Sequence, residues 1–152
     1  MNQVVVKQEK SGYQIVEAYK SLRTNLQFCG EDKKVIAVTS CTPNEGKSSV
    51  SMQLGISLAE SGKRVILIDA DLRKSVLLGR TKTQKSVRGL AHFLSGQATL
   101  EDVICSTNVK NFYMIYSGPF PPNPAELLGG KNFRSLLNAL RKVYDYVIVD
   151  TP

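Results

Sequence analysis

The stretch Val35-Ile36-Ala37-Val38-Thr39-Ser40-Cys41-Thr42-Pro43-Asn44-Glu45-Gly46-Lys47-Ser48-Ser49 decides the fold. It opens with a short β-branched run that reads as a strand. It then crosses a turn-rich loop and enters a helix near Gly46. Val50, Leu54, Ile56 and Leu58 carry that helix to a Ser61-Gly62 stop. Gly46-Lys47-Ser48 matches the second half of the phosphate-loop pattern G-x-x-x-x-G-K-[ST], with Cys41 where the first glycine would stand. The physics tolerates that change. Backbone N–H groups from Glu45 to Ser49 would point out of a helix N-terminus, where the dipole favours phosphate. Asn44, Glu45, Gly46, Lys47, Ser48 and Ser49 are therefore the expected nucleotide-binding residues. Lys47 would bridge the β- and γ-phosphates of ATP and the Ser48 hydroxyl would ligate Mg²⁺.

Directly after that helix, Val65-Ile66-Leu67-Ile68-Asp69 is a continuous apolar run, expected of a parallel strand buried on both faces. Strand, helix and strand in this order predict a right-handed crossover. Asp69-Ala70-Asp71-Leu72-Arg73 closes the second strand, at the carboxyl end where ligands of open α/β sheets bind. These carboxylates are expected close to the phosphate loop, because neighbouring parallel strands sit about 4.8 Å apart. One of them could hold Mg²⁺ through water or accept a proton from an attacking hydroxyl, and Asp71 could equally cap a following helix. A last strand, Tyr146-Val147-Ile148-Val149, ends in Asp150, which is placed like the second Mg²⁺ partner of phosphate-loop enzymes.

The remaining chain fits an α/β layer with helices on both faces of a mostly parallel sheet. Gln14 to Phe28 has Ile15, Tyr19, Leu22 and Leu26 at helical spacing, with Gly30 as a stop. Short helices are expected at Gly89–Leu94 and Leu100–Ile104, and a strand at Phe112–Tyr116. Asn123-Pro124-Ala125-Glu126 begins a helix, with Asn as cap, Pro first and Glu third. Asn132–Val143 forms another.

Composition narrows the class. The 152 residues are 42% hydrophobic and 22% charged, which suits one globular domain. No run reaches the roughly 18 to 20 apolar residues of a membrane span. Met1-Asn2-Gln3-Val4-Val5-Val6-Lys7 lacks a signal-peptide pattern, so a cytoplasmic location is expected. Cys29, Cys41 and Cys105 lack metal-ligand spacing and are expected as buried or half-buried thiols. His92, the one histidine, reads as an ordinary helix residue. The net charge of +7 is partly concentrated between Arg73 and Arg88, where Lys74, Arg80, Lys82 and Lys85 also lie and no acid does. This stretch is a solvated loop or a surface for an acidic partner. It has no aromatic residue to stack on bases, which argues against nucleic acid.

Together these motifs resemble the bacterial tyrosine kinases of the capsule and exopolysaccharide type, phosphate-loop proteins unrelated to eukaryotic kinases. The resemblance runs from about Gln14 to Pro152. It rests on Glu17-Ala18-Tyr19-Lys20-Ser21-Leu22-Arg23-Thr24-Asn25-Leu26, Pro43 to Ser48, Ile68 to Lys74, Gly89-Leu90 through Leu94-Ser95-Gly96, Pro122 to Leu128, and Tyr144 to Pro152. It implies Lys47, Asp69 and Asp71 as catalytic residues, with Asp69 nearest the reacting tyrosine. Ser48, Asp69 and Asp150 would serve Mg²⁺, and the cofactors would be ATP and Mg²⁺. The helix at about 14–28, through Glu17, Lys20 and Arg23, would form ring-like oligomers that phosphorylate one another. Lys20 stands where the family has arginine, which keeps the charge and loses the bidentate fork.

The resemblance also implies protein tyrosine substrates, and a transmembrane adaptor that recruits the kinase to the inner face of the plasma membrane. The output would be control of polysaccharide synthesis and export. Residues 1–152 would be a single, partial kinase domain, with its sheet incomplete at the C-terminal side and one flank uncovered. Two other readings stand beside it. A partition- or positioning-type ATPase would carry a lysine where this chain has Thr42. An inactive fragment would act by binding alone.

Overall fold

A computed structural model describes residues 1–6, 12–30, 32, 34–39, 47–72, 81–83 and 87–151. In chain order the elements are β1 (Asn2–Val6), α1 (Tyr13–Phe28), β2 (Val35–Val38), α2 (Lys47–Glu60), β3 (Val65–Asp69), β4 (Thr81–Thr83), α3 (Leu90–Leu94) and α4 (Leu100–Val103). Then follow β5 (Cys105–Thr107), β6 (Phe112–Ile115), α5 (Pro124–Leu128), α6 (Lys131–Val143) and β7 (Tyr146–Asp150). Seven strands form one sheet in the order β2-β7-β3-β6-β5-β1-β4.

The pairs β2–β7, β3–β7, β3–β6 and β1–β5 are parallel. The pairs β5–β6 and β1–β4 are antiparallel, so the sheet is mixed beyond β6. Between β5 and β6, Asn111 takes a positive φ of 67°, in the left-handed region that asparagine tolerates better than most residues.

The order of strands corrects one expectation. The strand that precedes the phosphate loop, β2, is not a neighbour of β3. The last strand, β7, lies between them, with Val38 in register with Asp150 and Asp69 also in register with Asp150. Sequence distance misleads here because a right-handed crossover leaves room for a later strand to insert between the two it connects. β2 is an edge strand of this sheet, and Val35 is 38% exposed.

Alternation along the central strands builds two cores. Val65 and Leu67 of β3, with Tyr146 and Ile148 of β7, pack with Met52, Leu54 and Leu58 of α2. Ile66, Ile68, Val147 and Val149 face the other way, against α3 and against Leu136 and Leu140 of α6. Helices thus cover both faces, as the unbroken apolar runs required.

α1 forms over the expected span. None of its residues is buried, Ile15 and Leu22 remain 53% and 38% exposed, and only Leu26 packs at the edge of the α2-side core. It is fastened instead by Arg23, whose guanidinium donates to the Ser57 carbonyl oxygen at 3.1 Å. Cys29, just past this helix, is exposed rather than buried, and its thiol donates to the Asn25 carbonyl oxygen. Cys105 is buried, and Cys41 lies outside the described residues.

Strands β1, β4 and β5 are additions to the sequence expectation. Val4-Val5-Val6 carried a legible β signal, and Val4 and Val6 turn inward while Val5 stays exposed. α5 begins where expected, with Pro124 in the first turn, but Asn123 does not cap the backbone; its side-chain amide donates to Glu126 Oε2 at 3.3 Å. No described helix is long and apolar enough to cross a membrane.

Candidate nucleotide and metal site

Three elements bring the predicted residues together at the carboxyl ends of the parallel strands. The registered pair Asp69 and Asp150 closes β3 and β7. By strand alternation both side chains follow Val65, Leu67, Tyr146 and Ile148 onto the α2 face. Asp69 is 0% and Asp150 1% exposed. Two carboxylates buried on adjacent strands require polar and cationic company, because an unpaired buried charge is strongly unfavourable.

For Asp150 the first turns of α2 supply it. Lys47 forms an ion pair with Asp150 Oδ1, and its side chain is only 13% exposed. The Ser48 hydroxyl donates to Asp150 Oδ2 at 2.8 Å. Ser51, fully buried one turn later, has its hydroxyl 3.1 Å from the Lys47 carbonyl oxygen and 3.5 Å from Asp150 Oδ1. One carboxylate is therefore met by three polar side chains from the start of α2, at positions 47, 48 and 51. Ser51 was not singled out in the sequence, although a serine facing an otherwise apolar core was its available signal.

Beyond Asp150, Thr151 ties the strand end to β2. Its N–H and its hydroxyl donate to the Val38 carbonyl oxygen at 3.1 and 2.9 Å. On the other side the Ala70 N–H donates to the Asp150 carbonyl oxygen at 3.0 Å. The Asp71 N–H donates to Asp69 Oδ1 at 3.2 Å, an Asx-type turn that aims the Asp69 carboxylate. Asp71 thus acts on Asp69 through its backbone; any helix it might cap falls among residues 73–80, outside the described residues. Ser49 lies in the first turn of α2, half-buried. Asn44, Glu45, Gly46 and Cys41 lie outside the described residues.

The donor set suits Mg²⁺. Ser48 Oγ and the Asp150 carboxylate are hard oxygens converging on one point, and Mg²⁺ typically takes one or two protein oxygens together with phosphates and water. No group of three or more His, Cys, Asp or Glu able to cage a metal stands among the described residues.

Other predicted features fall away from this site. Glu17 and Lys20 pair at 3.4 Å on exposed α1. His92 does more than fill a helix: its Nδ1 accepts the Gly89 N–H at 3.0 Å. Of the basic stretch, Arg73, Lys74, Arg80 and Lys85 lie outside the described residues, and the Arg88 guanidinium donates to the Gln97 carbonyl oxygen at 2.6 Å.

Comparison with known proteins agrees with this geometry. The model of a family described as "AAA domain" matches residues 33–152. The tyrosine-protein kinase CpsD of Streptococcus agalactiae is 44% identical over 136 residues, which is 90% of this chain and 59% of that protein. The chain thus spans well under two thirds of that relative's length. The kinase domain of the Escherichia coli tyrosine kinase ETK superposes with a TM-score of 0.84 at 39% identity, covering 90% of this chain and 54% of that one. The septum site-determining protein MinD of Pyrococcus horikoshii, solved with Mg-ADP, gives a TM-score of 0.65 at 27% identity over 78% of this chain and 49% of its own.

Proposed function

The chain belongs to the AAA domain family, in its bacterial tyrosine-kinase branch, and on that premise we propose that it binds Mg·ATP at the Lys47–Asp150 site and transfers the γ-phosphoryl group to protein tyrosines. The observation that carries this reading is the convergence of Lys47, Ser48 and Ser51 on Asp150, with Asp69 beside it in register. Lys47 exchanges its carboxylate partner for the β- and γ-phosphates when nucleotide enters. The N-terminus of α2 adds its dipole to that attraction. Ser48 and Asp150 hold Mg²⁺, with Asp69 on the neighbouring strand. An ion held there would supply positive charge against that developing on the transferred group. Asp69, oriented by the Asp71 N–H, takes up the phenolic proton.

Partners follow from the same reading. The α1 helix, with Glu17, Lys20 and Arg23, contributes to a homo-oligomer in which one copy phosphorylates the next. Because Arg23 already holds the Ser57 carbonyl oxygen, its contribution is partly to fix α1 against its own subunit. A transmembrane adaptor recruits the protein to the cytoplasmic face of the membrane, and polysaccharide synthesis and export are what it regulates. Residues 1–152 belong to a single kinase domain and make up part of it.

Incubation of the purified chain with Mg·ATP and a tyrosine-rich acceptor, followed by phosphotyrosine detection, tests this directly. Signal is expected from the wild type and none from Lys47→Met. The likeness to MinD supports a second reading, a positioning-type ATPase. ATP hydrolysis that depends on Lys47 but yields no phosphotyrosine would select it over the kinase.

A further inference from the structure

All six tyrosines of the chain fall among the described residues, and their surroundings differ sharply. Tyr116, Tyr144 and Tyr146 are 3%, 3% and 8% exposed. Tyr113 is half-buried, with its ring edge-on to Tyr144 at 5.4 Å and the Arg64 guanidinium 5.3 Å from its centroid. Tyr19 is half-buried on α1. Tyr13, the first residue of α1, is 79% exposed.

Tyr13 also stands at the correct end of the molecule. On α1, Arg23 reaches Ser57 of α2, and Gln27, one turn later, lines a cavity with Lys63 just past the end of α2. Later residues of α1 thus meet later residues of α2, so the two helices run in the same sense. Tyr13 precedes Arg23 by ten residues, and Lys47 precedes Ser57 by ten, each about 15 Å of helix. That places Tyr13 toward the end of the fold where Lys47 begins α2.

The first turn of α1 is easily opened. Gly12 caps it in an extended conformation without a side-chain bond, and no residue of α1 is buried. A tyrosine here can enter an active site in extended form without dismantling a core. Its first turn contains no acidic residue, so a phosphate gained there meets the positive end of the helix dipole and no opposing carboxylate in that turn.

We propose that Tyr13 is a phosphorylation site, accepting the γ-phosphoryl group of ATP held at the Lys47–Asp150 site; this rests on the tyrosine-kinase reading above. The phenolic oxygen attacks the γ-phosphorus and forms the Oη–P bond as the bond to the β,γ-bridging oxygen breaks. ADP leaves with that electron pair, and the phenolic proton passes by way of Asp69 to water.

The test incubates the wild-type chain, Tyr13→Phe and Lys47→Met with Mg·ATP and a synthetic glutamate–tyrosine copolymer, then maps phosphotyrosine on the chain by peptide mass spectrometry. The expected result is phosphate on the peptide containing Tyr13 in the wild type, lost in Tyr13→Phe, with copolymer phosphorylation unchanged in that variant and abolished in Lys47→Met. Copolymer phosphorylation with Tyr13 unmodified would overturn the inference and leave the kinase reading intact. So would loss of copolymer phosphorylation in Tyr13→Phe, which would make Tyr13 part of the machinery rather than its acceptor. Absence of phosphate on both chain and copolymer would overturn the kinase reading and the inference with it.

Discussion

Replacing Lys47 by methionine removes the cation from a carboxylate that is 1% exposed, while keeping a side chain of similar length and helix propensity. Breaking a buried ion pair by deleting one partner costs about 3–5 kcal/mol, because the remaining charge is left uncompensated. Two features lower that figure here. Lys47 is 13% exposed, and Asp150 keeps the Ser48 hydroxyl at 2.8 Å. A loss of about 2–4 kcal/mol is therefore expected in the absence of nucleotide, a large share of a typical total of about 5–15 kcal/mol. In a domain of this size each kcal/mol shifts Tm by about 2–4 °C, so a fall on the order of 10 °C should be measured.

The assay is urea and thermal unfolding of wild type, Lys47→Met, Asp150→Asn and the double variant, all without nucleotide. If the pair acts as described, the double variant is more stable than the sum of the single losses implies, by about 2 kcal/mol. Additivity within about 0.5 kcal/mol would show that Lys47 and Asp150 are energetically independent, and the account of the resting site would be wrong.

Two further outcomes follow from the fold. Burial raises the phenols of Tyr19, Tyr144 and Tyr146 above the ordinary 10.0; the Arg64 cation works against this at Tyr144, and the Asp145 charge adds to it at Tyr146. Burial also pushes the Cys105 thiol from 9.0 up to about 11. A folded-state pKa above the unfolded one gives stability that is fully present below the unfolded value and is lost as pH rises through the folded value. The urea midpoint should therefore hold to about pH 9 and fall between about pH 9 and 11, and a midpoint flat across that window would contradict the burial described. The second outcome concerns Gly89→Ala. A Cβ at Gly89 would lie 2.3 Å from the Gly118 nitrogen and 2.7 Å from the Tyr116 carbonyl oxygen. Backbone on both sides cannot yield as a flexible side chain would, so a cost of about 3 kcal/mol is expected by denaturant titration. A change under about 0.5 kcal/mol would mean that this contact is not held in solution.

Much of the site was legible because its chemistry is local. Gly46-Lys47-Ser48 must stand where a strand turns into a helix, and that junction is written in the change from a β-branched run to helical periodicity. The apolar runs ending in Asp69 and Asp150 announce two buried strands with a carboxylate at each carboxyl end, and both strands form as expected. Local pattern also located α1, but it could not tell that Ile15 and Leu22 stay exposed rather than packing on this chain's own core.

What the sequence by itself determined is the set of groups: one lysine, one hydroxyl and two carboxylates at strand and helix ends, enough to imply a phosphate-binding α/β layer. What only the tertiary structure decided is who meets whom. β7, the last strand in the chain, inserts between β2 and β3. That insertion makes Asp150, not Asp69, the partner of Lys47 and Ser48, and it brings Ser51 into the same carboxylate. Strand order is set by non-local packing of two-faced apolar strands beneath helices, and no window of sequence around Lys47 contains that information. The same holds for Arg23: its charge and spacing are visible in the chain, but its bond to the Ser57 carbonyl oxygen exists only because α1 and α2 run side by side in the same direction.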